Sequence, residues 1–291
     1  MGLSHFWHTE GYFHHAHWAV LANRVEVEKV LLWSRVELFL EGMEMAQQTT
    51  EPLAEYLAEY PQLNKALCKL PPSTLDFSGR FLYSDITTLR PGKFYILGHH
   101  PGGDPNKYKN RIHLVKEIPE WACKRANAIL HEKWDLPKGN GFYPIGEAPY
   151  QLNVKALCGT LGICPCQVCT SNLYFKRKKG TLPSRILTEE EIKAHLSVHE
   201  AMLNIVKPDY IFAIGVEETY PTIGKSLLHF PEISRKPRGC EGYRWYVTAG
   251  LYKEKQITLI GLPIPNHNRE LTYYREVLKE IAKECSIGPR V

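Results

Sequence analysis

The stretch Lys93-Phe94-Tyr95-Ile96-Leu97-Gly98-His99-His100-Pro101-Gly102-Gly103-Asp104-Pro105 decides how this chain is read. Lys93–Leu97 has the length and apolar character of a strand buried on both faces. The residues after it combine Gly98, Gly102 and Gly103 with Pro101 and Pro105, a composition that forces a tight turn and lets the backbone come close to a ligand. Ligands in open α/β sheets bind beyond the carboxyl ends of the strands. The turn after Leu97 is therefore the first place to look for chemistry.

Outward from this point, short apolar runs alternate with helical patterns. Strands are expected at Val168–Phe175, Tyr210–Gly215, Tyr243–Ala249 and Gln256–Leu262, and helices at Glu120–Lys133, Leu152–Leu161, Thr188–Val206 and Arg269–Cys285. Thr188 followed by Glu189, Glu190 and Glu191 is a capping-box arrangement suited to the positive helix N-terminus. The alternation predicts an α/β fold over residues 81–291, a three-layer α/β/α arrangement around a central, mostly parallel sheet of four or five strands. Ahead of it, Val20, Leu21, Val25, Val27, Leu31, Leu32, Val36, Phe39 and Leu40 recur at helical steps between His17 and Met43. A short helix over Pro52–Tyr60 and a Pro-Pro-Ser-Thr linker at 71–74 complete a helical N-terminal extension, residues 1–80. Residues 104–150 have little periodicity, as functional long loops do.

The chain has 291 residues, 44% hydrophobic and 23% charged, which excludes disordered, collagenous and coiled-coil classes. A formal charge of +5 is mild, so a polyanionic partner has to be argued from local clusters. Eight cysteines in a chain of this length do not form a small disulfide scaffold, and they are read as reduced thiols in a cytoplasmic protein. The start MGLSHF places Phe6 where a myristoylation signal needs Ser or Thr, and neither a signal peptide nor a membrane span is expected.

Two further loops are unusual. Thr170-Ser171-Asn172-Leu173-Tyr174-Phe175 carries an amide in an apolar strand and runs into Lys176-Arg177-Lys178-Lys179-Gly180. Gly261-Leu262-Pro263-Ile264-Pro265-Asn266-His267-Asn268-Arg269 has alternate prolines just before the last helix. In this order the three loops resemble the uracil-DNA glycosylase superfamily across roughly residues 90–285. Gly98-His99-His100-Pro101-Gly102 is similar to the family's water-activating motif, Asn172 to its base-reading Asn, and Pro263-Ile264-Pro265 to the loop that pinches the phosphate backbone and inserts a side chain into the duplex. Gln151–Leu157 looks like the helix before the Asn strand and Pro208–Gly215 like the strand after it.

What the resemblance implies is a DNA glycosylase that flips out a uracil or a C5-modified pyrimidine and hydrolyses its N-glycosidic bond through an oxocarbenium-like sugar, leaving an abasic site. Its partner would be DNA and its cofactor none. His100 is the first candidate to orient the attacking water, Asp104 the second, and His267 a further possible catalytic group. Gly98, Pro101, Gly102, Gly103 and Asn172 would form the base pocket, with Phe142 or Tyr143 as the stacking aromatic. Lys176, Arg177, Lys178, Lys179, Pro263, Pro265, Asn266, Asn268 and Arg269 are the expected DNA contacts, joined by Lys107/Lys109/Arg111 and Arg235/Lys236/Arg238. His100 stands where family branches have Asp, Asn or Ala, and Leu262 where several have a catalytic His, so the usual stabiliser of the departing base is missing. Gly102 leaves open the space that a Tyr fills in the branch strictest for uracil.

Each of these residues also has an ordinary structural reading. The Gly/Pro loop is a turn, Asn172 a satisfied buried amide, Lys176–Lys179 a solvated loop, Phe142 and Tyr143 core residues, and His267 and Asn268 helix caps. Cys158, Cys164, Cys166 and Cys169 are numerous enough for zinc or an iron–sulfur cluster but are favoured as buried thiols, and the N-terminal His5, His8, His14, His15 and His17 suggest metal less than a helix or DNA contact. Two other functions compete: a base-binding protein of the same fold without hydrolysis, prompted by Leu262, and an unrelated metal-dependent hydrolase using the histidines. Repair and defence against phage with modified DNA are the two purposes considered for a glycosylase.

Overall fold

A computed structural model describes residues 60–75, 79–102, 127–136, 141–177, 187–239, 244–264 and 271–284. The helix expected at 17–43, all but the last residue of the one expected at 52–60, and the first half of Glu120–Lys133 lie outside these residues, as do the N-terminal histidines.

The fold is α/β, with a five-stranded sheet in the order β2-β1-β3-β5-β4. Strands β1 (Phe94–Gly98), β2 (Cys169–Asn172), β3 (Tyr210–Ile214) and β5 (Lys255–Leu262) are parallel, and β4 (Tyr246–Tyr252) runs antiparallel to β5 at the edge. The longer helices and helical turns are α1 (Pro61–Leu67), α2 (Ala128–His131), α3 (Pro149–Thr160), α4 (Glu189–Val206), α5 (Thr219–Thr222) and α6 (Leu271–Glu284), and a further helical turn, Pro72–Leu75, stands where a linker was expected at 71–74.

Successive strand residues feed two cores, and that is why the central strands read as unbroken apolar runs. Tyr95, Leu97, Ile211, Ala213, Ile257 and Leu259 pack with Leu63 and Leu67 of α1 and Leu196, Met202 and Leu203 of α4. On the other face Phe94, Ile96, Phe212, Ile214, Ile260 and Leu262 pack with Val154 and Leu157 of α3 and Tyr274, Val277, Leu278 and Ile281 of α6.

The capping box of α4 forms as expected: the Glu191 N–H donates to Thr188 Oγ1 at 3.1 Å, and the Thr188 N–H to Glu191 Oε2 at 2.9 Å. Pro149 opens α3, where Gln151 accepts from the Ala148 N–H at 2.8 Å and donates to the Ala128 carbonyl at 2.7 Å, tying α2 to α3.

Four expectations are corrected. The chain divides at Glu51/Pro52, and Leu63, Leu67 and Leu70 sit in the core of the sheet-bearing unit, so that unit starts well before residue 81. Strand β2 ends at Asn172, although Leu173–Phe175 stay fully buried, because burial alone does not make a strand. Within the described part of Glu120–Lys133 the helix covers only Ala128–His131, after which the chain turns to bridge Asp135 with Phe142. Cys164 and Cys166 are exposed and joined in a disulfide, whereas Cys158 and Cys169 are the buried thiols, both pushed up to about 12 by burial.

Helix α4 turns two histidines into the core. Burial lowers His195 to about 3 and His199 to about 4. The His199 Nε2–H donates to the Leu173 carbonyl at 3.0 Å and its Nδ1 accepts from the Tyr95 hydroxyl at 2.8 Å, an arrangement that needs the neutral ring. Below pH ~6.5 the unfolded chain binds protons that these buried rings refuse. Stability is therefore complete above that value and falls as pH drops toward 4, by on the order of 3 kcal/mol for His199 alone. Melting temperatures between pH 7 and 4 are expected to show this decline, and His199→Gln is expected to flatten it.

Candidate active site at the carboxyl edge of the sheet

The connection from β2 to β3 crosses over β1, so the switch in strand order falls beside β1, between it and β3. Four loops meet at this edge: those after β1, β2, β3 and β5.

Gly98, the last residue of β1, is paired in register with Asn172, the last residue of β2. A Cβ on Gly98 would lie 2.3 Å from Asn172 Oδ1 and 2.9 Å from the Tyr150 hydroxyl, so this glycine is required by close approach. The Leu173 N–H donates to the Gly98 carbonyl at 2.8 Å and the Tyr174 N–H to the His99 carbonyl at 3.0 Å, which carries the two loops outward together. Asn172 is 2% exposed and donates to the Tyr83 hydroxyl at 2.8 Å.

Tyr83 belongs to a segment bridged along the open edge of β2, with Leu82 opposite Ser171 and Gly79 opposite Lys176. Its ring meets Trp134 at 5.4 Å and Tyr150 at 5.7 Å, and Trp134 stacks on Tyr150 at 6.0 Å. These three aromatics, not Phe142 or Tyr143, make the wall beside Gly98 and Asn172. Phe142 is 54% exposed, and Tyr143 contributes a backbone hydrogen bond to the Trp134 carbonyl. The sequence signal for this wall is Tyr150, in the first turn of the helix that precedes the Asn strand.

His99 links the loops after β1 and β3. Its Nδ1 lies 2.9 Å from Thr219 Oγ1 and its Nε2 3.0 Å from the Glu218 carboxylate. Burial, and then the neighbouring His100, lower His99 to about 4. The contact with Thr219 is a hydrogen bond, whereas Nε2 lies close to the Glu218 carboxylate without hydrogen-bond geometry. Thr219 is fully buried against Gly215, whose φ of +117° and lack of Cβ make room for Oγ1, which a Cβ would meet at 2.7 Å. Sequence reasoning missed Glu218, since nothing local distinguishes it from Glu217.

His100 is partly buried and its Nδ1 lies 2.9 Å from the Pro101 carbonyl. A carbonyl only accepts, so Nδ1 holds the proton and the lone pair of the neutral ring is on Nε2. Pro101 is buried; Gly102 is exposed, with nothing within 4 Å of a built Cβ, and its carbonyl accepts from Arg177. Lys176 is committed to the buried Glu191 carboxylate at 3.3 Å, which also accepts from Ser73 at 2.6 Å. From the β5 loop, Pro263 is buried and Ile264 is 55% exposed beside Gly215. Leu262 is fully buried in the core. Gly103, Asp104, Lys178, Lys179, Pro265, Asn266, His267, Asn268 and Arg269 lie outside the described residues, as do Lys107, Lys109 and Arg111.

Among the described residues no three His, Cys, Asp or Glu side chains converge on a point where a metal ion would be held, and no helix is long and apolar enough to cross a membrane. No protein-family model and no curated protein matches the chain.

Proposed function

We propose that this protein is a DNA glycosylase that hydrolyses the N-glycosidic bond of a flipped-out uracil or C5-modified pyrimidine. The observation that carries the reading is the pairing of Gly98 with Asn172 at the carboxyl edge, two residues before His100 and against the Tyr83–Trp134–Tyr150 wall. Residues drawn from distant parts of the chain by motif order thus meet at the edge where α/β sheets bind ligands.

In this reading the extruded base stacks on the aromatic wall and is read by Asn172, which exchanges the Tyr83 hydroxyl for the base edge. A stack of this kind contributes ~1–3 kcal/mol. The Nε2 lone pair of His100 orients the attacking water. Ile264 is an exposed apolar side chain suited to enter the duplex, and Arg177, Lys178, Lys179 and Arg269 contact phosphates. The open space at Gly102 permits a substituent at C5 without demanding one, which is compatible with either repair or attack on phage DNA.

A second reading, a base-binding protein without hydrolysis, is favoured by Leu262, whose buried side chain supplies no catalytic group at the end of β5. Purified protein incubated with DNAs each containing one candidate base, including uracil, hydroxymethylcytosine and glucosylated cytosine, separates the two. Alkali-labile breaks that persist in excess EDTA are expected. Tight binding to one of these DNAs without breaks supports the second reading, and breaks that EDTA abolishes point instead to a metal-dependent hydrolase.

A further inference from the structure

We propose that Cys164-Pro165-Cys166 is a thiol–disulfide exchange site, a disulfide that low-molecular-weight thiols open and their disulfides close again while the chain stays folded. The inference stands apart from the hydrolytic reading and uses none of its residues.

Helix α3 is closed by Gly162, whose φ of +66° lets the Ile163 N–H reach back to the Cys158 carbonyl at 3.0 Å. The chain then makes one tight helical turn, Pro165–Gln167, before β2 begins at Cys169. In that turn the Gln167 N–H donates to the Cys164 carbonyl at 2.9 Å and the Asn127 side-chain amide to the Pro165 carbonyl at 3.2 Å, while Pro165 fixes its own φ. These contacts need no S–S bond, so the turn keeps the two sulfurs together whether they are joined or not. A bond between residues two apart removes very little freedom from the unfolded chain; the fold gains little from it and gives it little protection against reduction. Both cysteines are exposed, and a thiolate can reach the bond. Cys158 and Cys169, the nearest thiols along the chain, are buried and pushed up to about 12, which keeps them out of the exchange.

The two sulfurs have different roles. The Cys166 N–H points at Cys164 Sγ at 3.3 Å and favours negative charge there. The thiolate of a small thiol therefore bonds to Cys166 Sγ, the Sγ–Sγ bond breaks, and its electron pair leaves on Cys164. The thiolate of a second small thiol then bonds to the sulfur of the first, Cys166 leaves with the electron pair of the mixed disulfide, and the small disulfide departs. Two small thiols are oxidised, the protein disulfide is reduced to two thiols, and the protons given up by the small thiols end on Cys164 and Cys166. In the return direction the Cys164 thiolate attacks the mixed disulfide at Cys166 and expels the small thiol, a step that proximity on the turn makes fast.

The test is peptide mapping by mass spectrometry of the full chain, equilibrated without denaturant at graded ratios of reduced to oxidised glutathione, quenched with acid and alkylated. The peptide carrying Cys164 and Cys166 is expected to shift from the closed form to one alkylated on both sulfurs as the reduced fraction rises, and to return when the ratio is reversed. Far-ultraviolet circular dichroism should stay unchanged throughout, with Cys158 and Cys169 unlabelled. In Cys164→Ser, glutathione is expected to remain attached to Cys166, because the sulfur that expels it is gone. An early quench of the wild-type reduction should catch glutathione on Cys166; finding it on Cys164 overturns the assigned order. A pair that stays closed in excess reduced glutathione until the chain is unfolded is a structural disulfide, and a pair that stays alkylatable in excess oxidised glutathione forms no disulfide at all. Either result overturns the proposal.

Discussion

A His100→Ala chain is expected to bind its DNA within a few-fold of wild type and to hydrolyse it about 10²–10⁴-fold more slowly in a single turnover. His100 sits on the loop whose start, Gly98 and His99, is fixed to the segment after β2 by the Leu173 and Tyr174 N–H groups, and its Nδ1 is tied to the Pro101 carbonyl. Its Nε2 is thereby held in a defined direction, and a water hydrogen-bonded there loses little further freedom in reaching the transition state. Removing the ring takes away orientation and one acceptor but leaves the phosphate contacts, so the loss falls on the rate and not on affinity. Asp104→Asn is the matched control on the same loop. Abolished cleavage in that variant, with His100→Ala within a few-fold of wild type, reverses the two assignments and makes His100 a pocket or phosphate contact.

Gly98→Ala should damage fold and activity together. The new methyl would stand 2.3 Å from Asn172 Oδ1, 2.9 Å from the Tyr150 hydroxyl and 3.1 Å from Tyr150 Cε2, closer than packed atoms allow. Overpacking of this kind costs ~1–3 kcal/mol, and the cheapest relief is to displace Asn172. Asn172→Ala alone loses the bond to Tyr83, about 1 kcal/mol, and all reading of the base edge. In the double variant the worst clash is gone, so the two losses should couple by ~0.5–3 kcal/mol, the pair being less destabilised than the sum. Hydrolysis is expected to be absent in all three. Melting temperatures that simply add, or an Asn172→Ala chain with full activity, would mean that Asn172 is a structural amide and does not meet the base.

Strands β1 and β3 were legible because both faces of each are covered, which leaves five consecutive buried or nearly buried residues in Phe94–Gly98 and Tyr210–Ile214. Helix α4 was legible through Thr188 and Glu191, whose reciprocal hydrogen bonds are local and need no tertiary partner. The β4–β5 hairpin was harder to bound. Its two-residue turn puts Lys253 at φ 48° and Glu254 at φ 64°, positions that usually announce themselves as Asn or Gly. Helix α1, seven residues long, is held by packing on α4 and carries too short a pattern to stand out.

At the candidate site the same division holds. Gly98 and Asn172 could be picked out because each breaks the composition of its own strand. The aromatic wall could not, since Tyr83, Trp134 and Tyr150 meet only when the segment along β2 and the start of α3 are folded against one another. His99 looked like a neighbour of His100, and its meaning comes from Thr219 and Glu218 on another loop. Lys176 looked like one of four equivalent cations until Glu191 claimed it.

The central claim is that the chain breaks a C1′–N bond with water. The most direct measurement is mass spectrometry of the products formed from a defined modified-pyrimidine oligonucleotide in ¹⁸O-labelled water with EDTA present. One intact free base released per abasic site, with one heavy oxygen at C1′ when the product is trapped by reduction before exchange, is the predicted result. Across the base panel, DNA that is bound yet recovered whole with no base released would contradict it.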